Sequence, residues 1–190
     1  VTGVQTCALP ISCHANPGKL NFASAGHGTT HQLAGELFKQ MTGTDMVHVP
    51  YRGSGPAVQD LIAGNVQAMF DSVPSSAASA RDGRLRALAV TTKNRIAPFP
   101  DLPTIAEAGV PGYEISTWYG IWAPVRTPPA TINRLQQAVA AAARNPETRA
   151  RFDALGAEPV ADSPEDYARF VRAEYDRWGK LVRDARIKLD

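Results

Sequence analysis

Cysteine is almost missing from this 190-residue chain: Cys7 and Cys13 stand near its start and no other follows. A Cys7–Cys13 bond would staple only a short irregular segment, so the fold cannot rest on a disulfide framework. No apolar run approaches the roughly 20 residues that a membrane-spanning helix needs. Charge of either sign is scarce too. Twenty basic against eighteen acidic residues leave a net charge of +2 with no basic run, so nucleic acid is not expected as a partner. Catalytic and cofactor signatures are equally thin. There is no G-x-S-x-G nucleophile elbow, no H-E-x-x-H zinc motif, no P-loop and no complete dinucleotide fingerprint. A hydrophobic share of 44% against 20% charged residues describes an ordinary globular chain, long enough to bury a core of one domain or somewhat more.

The first residues, VTGVQTCALPIS, match nothing that follows and resemble translated sequencing-adaptor read-through. They lack the basic start and continuous apolar core of a signal peptide. The reading therefore sets residues 1–15 apart as a non-native or adaptor-derived segment and linker, and expects the native N-terminus to be missing.

What is present is a strand–loop–helix start at LNFASAGHGTTHQLAGELF, residues 20–38. Leu20 to Ala23 suit a buried strand. Leu33, Ala34, Leu37 and Phe38 then recur at the spacing of one helix face. Between them Ser24, Ala25, Gly26, His27, Gly28, Thr29 and Thr30 form a small-residue loop. Gly26 and Gly28 allow close backbone approach, a Thr29 or Thr30 hydroxyl can cap the helix, and its first amides point outward with the helix dipole behind them. The same residues serve equally as a plain βα turn.

The pattern then repeats. Residues 46–50, 66–71 and 85–90 read as further strands, with helices ended by Gly43 and Gly64 and an Ala-rich helix running to Arg81. Strands separated by helices of this length predict a parallel sheet with ligands at its carboxyl edge. Loops at 24–30, 51–54 and 71–76 and the Thr91–Thr92 pair carry small polar groups to that edge. Asp71 there is either a contact for a ligand amine or hydroxyl or a cap for the next turn. Arg52 either steers an anion or is an ordinary exposed arginine. Further on, a short helix is expected at 104–108, an aromatic strand at 116–124, and helices from Pro129, from Pro146 and after Ser163-Pro164-Glu165-Asp166. Trp118, Tyr119 and Trp122 read as packing at a domain junction.

Two clusters are weak as chemistry. Ser24, His27 and His31 have no assignable acidic partner for a triad. His27 and His31 stand four apart, but His27 falls in the loop and no Glu lies between them, so no metal site is expected.

The series N-P-G-K-L-N-F-A-S-A-G-x-G-T, H-V-P-Y-R-G-S-G-P-A, D-L-I-A-G-N-V-Q-A-M-F-D-S-V-P-S, L-R-A-L-A-V-T and P-D-L-P-T-I-A-E-A-G, with the ending Arg186 to Asp190, resembles the Bug receptors. These are the TctC-type periplasmic solute-binding proteins of tripartite tricarboxylate transporters. The resemblance runs from Asn16 to Asp190. It implies an α/β, Venus-flytrap-like periplasmic binding protein. Residues 16–115 would be the second parallel-sheet lobe. Residues 116–190 would supply a crossover strand and C-terminal helices that pack on a first lobe, which this N-terminally truncated chain lacks.

By the same resemblance the ligand is a small carboxylate, held by Ser24, Ala25, Gly26, Gly28, Thr29 and Thr30, with Asp71 as a side-chain selector. Partners would be the transporter's membrane components, the full-length protein would be periplasmic, and no cofactor or catalysis is expected. The alternative is an α/β enzyme that uses the glycine loop for a phosphate-bearing substrate or cofactor. It would require an acid, base or nucleophile oriented beside the loop.

Overall fold

The computed structural model describes residues 18–187. The Cys7–Cys13 pair, the segment 1–15 and the last three residues lie outside the described residues. Among the described residues the chain forms two compact units, 18–117 with 181–187, and Trp118–Lys180.

The first unit is built on three parallel strands in the order β2-β1-β3: β1 Leu20–Ser24, β2 Met46–Pro50 and β3 Ala68–Met69. β1 is central, pairing Leu20 with Met46 through Ser24 with Pro50 on one side, and Phe22 with Ala68 on the other. Its central position explains why Phe22, Ala23 and Ser24 are all fully buried. The crossovers are α1 (Thr30–Thr42) and α2 (Ser54–Ala63), and α3 (Val73–Arg81) follows β3. Gly43 and Gly64 end α1 and α2 in the left-handed conformation, as their places in the sequence predict.

α1 lies against β1 because Gly35 has no side chain. A Cβ there would come within 2.7 Å of the Phe22 ring. Tyr113, also buried, donates its hydroxyl to the Ala34 carbonyl at 2.9 Å and so ties the 110–115 segment to α1.

Several predicted elements differ. The third strand shortens to Ala68–Met69, since the chain still bends at 65–67 on leaving α2 and residues 70–72 pair with no strand before α3 begins. Residues 85–89 form no strand, and only Val90 makes a bridge, to Thr104. A two-residue β3 offers no edge along which a fourth parallel strand could pair. Residues 104–108 are a single turn rather than a helix. The Thr104 amide donates to Glu107 Oε2 and the Glu107 amide to Thr104 Oγ1, but Gly109, at φ +111°, stops the turn at once.

The second unit holds α4 (Pro129–Arg144), α5 (Pro146–Ala154) and most of α6 (Pro164–Asp184). Asn145 caps α5 by accepting from the amides of Glu147 and Thr148, and Ser163 Oγ accepts from the Asp166 amide at the start of α6. The predicted aromatic strand 116–124 has no strand pairing. Instead Trp118 packs edge-on against Tyr167 and Phe170 of α6, and Trp122 against Tyr167. The Trp118 and Trp178 indoles both donate to Glu174 Oε2. Side-chain packing on the helix replaces backbone pairing in this segment.

Candidate ligand-binding site

Three loops leave the carboxyl ends of β1, β2 and β3, and each leads into a helix start. The first loop is stitched from within. Ser24 Oγ contacts His48 Nε2 at 2.7 Å, donates to the Gly26 carbonyl and accepts from the Gly26 amide. The Gly28 amide donates to Gln32 Oε1 at 2.8 Å. Gly26 and Gly28 sit at φ +140° and +70°, so glycine is needed at both. The loop is also tied to its neighbour, with the Tyr51 amide donating to the Ser24 carbonyl and the Gly53 amide to that of Ala25.

The expected hydroxyl cap is corrected. Thr29 occupies the cap position in extended geometry, but its hydroxyl donates to the Gly26 carbonyl instead of accepting from the helix. Gln32, buried in the first turn, reaches back to Gly28 in its place. The first helical-type amide bond belongs to Leu33, which donates to the Thr29 carbonyl. The amides of Thr30, His31 and Gln32 therefore precede any intrahelical acceptor and carry the partial positive charge of the helix start.

Asp71 is the other centre of the site. Its Oδ1 accepts from Ser54 Oγ at 3.0 Å and its Oδ2 from Ser75 Oγ at 2.7 Å. His31 Nε2 stands 3.6 Å from Oδ1. Ser54 is the first residue of α2, Ser75 the third of α3 and His31 the second of α1, so one carboxylate gathers three helix starts. Its side chain is only 6% exposed and that of His31 12%. Burial lowers the His31 pKa below its ordinary value, while the Asp71 charge opposes the shift. A cavity of about 20 Å³ lies beside the pair, with Thr30, Thr91 and Thr117 on its polar side and Phe70 and Ile115 on its apolar side.

The predicted site residues thus separate by position. Thr30 and Asp71 meet at the cavity. Ser24 is fully buried below the loop, and the Gly26 and Gly28 amides are turned inward. His31, Thr117, Ser54 and Ser75 were not assigned from the sequence. The serines stand in loops whose small polar content is visible there, but nothing in the spacing shows that both reach the same carboxylate. His27 is exposed and stacks edge-on against His48, 5.5 Å between ring centres. Among the described residues, no group of three or more metal-ligating side chains is present.

Residues 8–187 match the tripartite tricarboxylate transporter family receptor, TctC. The chain belongs to the TctC family. It is 43% identical to a UPF0065 protein from the tcbD-tcbE intergenic region of Pseudomonas sp. strain P51, over 90% of this chain and 52% of that protein. Among solved structures it is similar to R. palustris Rpa4515 with adipate. The TM-score is 0.88 at 41% identity, covering 98% of this chain and 62% of that one. Periplasmic binding protein BugD gives a TM-score of 0.82 at 31% identity over 95% of this chain and 61% of that one. MatC of Rhodopseudomonas palustris with bound malate gives 0.82 at 31%, over 95% and 62%. The fold is that of periplasmic binding proteins, in mixed α/β form with a parallel sheet. These relatives are solute-binding receptors, not enzymes. This TctC-family chain spans about half the length of the first curated relatives it matches.

Proposed function

We propose that the chain carries the ligand-binding edge of an extracytoplasmic receptor that captures a small carboxylate and passes it to the membrane components of a tripartite tricarboxylate transporter, without catalysis. One observation carries the reading: the open amides at the start of α1 stand beside the Asp71 cluster, at the carboxyl edge of a parallel sheet. Helix starts there attract anions. The adipate and malate bound by the two relatives are of the same chemical class. In this reading Ser24, Ala25, Gly26 and Gly28 shape the loop, Thr29 and Thr30 present donors to the carboxylate, and Asp71 discriminates among ligands. Residues 16–115 form one lobe. From residue 116 the chain crosses over to helices that belong with a further lobe, for which the length of the relatives outside the match leaves room. Thr117 and residues 181–187 stay with the first unit. The full-length protein works in the periplasm.

Titration with di- and tricarboxylates, followed by ligand-observed NMR, tests the proposal. Saturable binding is expected, weakened by Gly28→Val because a β-branched residue resists φ +70°. Thr29→Val removes the hydroxyl bond to the Gly26 carbonyl and tests whether that bond holds the loop in its binding shape. The loop is excluded as the site if no carboxylate binds, or if Gly28→Val leaves the affinity unchanged.

A further inference from the structure

Asp71 is a buried acceptor with capacity to spare. A carboxylate offers about four lone-pair sites, and Ser54 and Ser75 fill one on each oxygen. His31 Nε2, at 3.6 Å, is too far to fill a third. The remaining sites lie in a side chain 6% exposed, next to a cavity of about 20 Å³. That is room for one water-sized group. His31 Nδ1 is a second buried polar atom without a hydrogen-bond partner. The rest of the polar wall is neutral, made by Thr30, Thr91 and Thr117.

These groups accept some chemistries and refuse others. A second ligand carboxylate placed here would face the Asp71 charge at close range in a poorly solvated space, which is unfavourable. An alkyl chain would bury the spare acceptors without a donor, which is also unfavourable. A hydroxyl or an ammonium fits on both counts. Each donates to Asp71, and each is the size of the cavity.

Resting on the carboxylate-binding reading, we propose that the cavity beside Asp71 and His31 seats the hydrogen-bond-donating substituent of the ligand, so that the preferred ligands are hydroxy- or amino-carboxylates rather than their unsubstituted counterparts. The carboxylate lies at the start of α1 and the substituent enters between Asp71 and the threonines. Asp71 is then a specificity-determining residue. Ser54 and Ser75 are positioning residues that hold its two oxygens.

The test compares malate, aspartate and succinate, which share a four-carbon dicarboxylate frame, by ligand-observed NMR titration of the 190-residue chain at pH 7.5. At least tenfold tighter binding of malate or aspartate than of succinate is expected. Malate against aspartate separates a hydroxyl seat from an ammonium seat. Asp71→Asn should reduce the ratio to below threefold, and more for aspartate, whose ammonium loses its counter-charge. Ala34→Val adds bulk to the cavity wall from α1 and should lower the ratio while Asp71 keeps its charge. Thermal melting establishes that each variant is folded. If Asp71→Asn does not fold, the Ala34→Val ratio decides. Equal affinities in the wild-type chain overturn the donor seat alone, leaving the cavity to water. No binding by any of the three overturns the carboxylate site together with it.

Discussion

The Ser24 hydroxyl lies 2.7 Å from His48 Nε2, and this contact ties the end of β1 to β2 beneath the glycine loop. Ser24 is wholly buried, and its oxygen also bonds to the carbonyl and amide of Gly26. With the hydroxyl donating to the Gly26 carbonyl, a neutral imidazole protonated on Nε2 donates to Ser24. A serine–histidine pair in this position fixes a loop instead of making a nucleophile. The Phe22 ring lies tilted against His48 at 5.0 Å and the His27 ring meets it edge-on at 5.5 Å, so the imidazole is held by its neighbours on two sides.

The environment of His48 makes stability depend on pH. Burial, with Lys39 and His27 nearby, lowers its pKa from 6.5 to about 4. Between those values the unfolded chain binds a proton that the native chain refuses. Its contribution is complete above pH 6.5, falls as the pH drops toward about 4 and levels off below. The ring is partly exposed, so the loss discounted for solvent is about 1–2 kcal/mol. His48→Gln keeps a polar group beside Ser24 and removes the titration. Urea unfolding at pH 7.5 and at pH 4 should show a smaller difference for this variant than for the wild type. Equal differences would refute the assignment.

Gly35→Ala should destabilise the chain even though alanine is the better helix former. The propensity gain is about 1 kcal/mol. The new methyl would meet the Phe22 ring, which is buried in the central strand and has no room to retreat. Overpacking of this kind costs about 1–3 kcal/mol, and contact with a ring fixed in the central strand belongs at the upper end, for a net loss of up to about 2 kcal/mol. The check is a double-mutant cycle in urea. Phe22→Leu makes space, so Gly35→Ala should cost less in that background than in the wild type. Additive effects would mean that the two residues do not oppose one another.

Much of this architecture was legible in the sequence because it is local. The run at 20–23, the glycines at 43 and 64 and the apolar spacing of α1 each report on a few neighbouring residues, and each element appears where expected. The segments at 85–90 and 116–124 carry strand-like composition, but a strand exists only where an edge is offered. That edge depends on distant residues. The site divides the same way. Asp71 stands out as an acid at a strand end. Its bonds to Ser54 and Ser75 span 17 residues in one direction and four in the other, and only the parallel sheet brings the helix starts together. The glycine loop was readable as a loop. Which of its donors face inward was not, because that depends on the Gln32 side chain four residues after Gly28.

The second unit should behave differently from the first in solution. Tyr119 is 89% exposed and Val125 99%, with Ile121 and Trp122 largely open as well. On α4, Leu135 and Val139 lie one turn apart on the same face, and both are exposed. A soluble monomer seldom leaves a contiguous apolar surface of more than a few hundred Å² uncovered. If these side chains belong with a further lobe, the 190-residue chain should self-associate as its concentration rises. Sedimentation velocity would show this, and pairing Leu135→Glu with Val139→Glu should suppress it without loss of helix signal in circular dichroism. Hydrogen exchange supplies the second readout. Amides of the paired strands at 21–24 and 47–49 should exchange slowly, and those after Pro129 quickly, because α4 and α5 bury little. A monodisperse monomer with protection spread evenly over both units would show that the apolar face needs no further lobe to cover it.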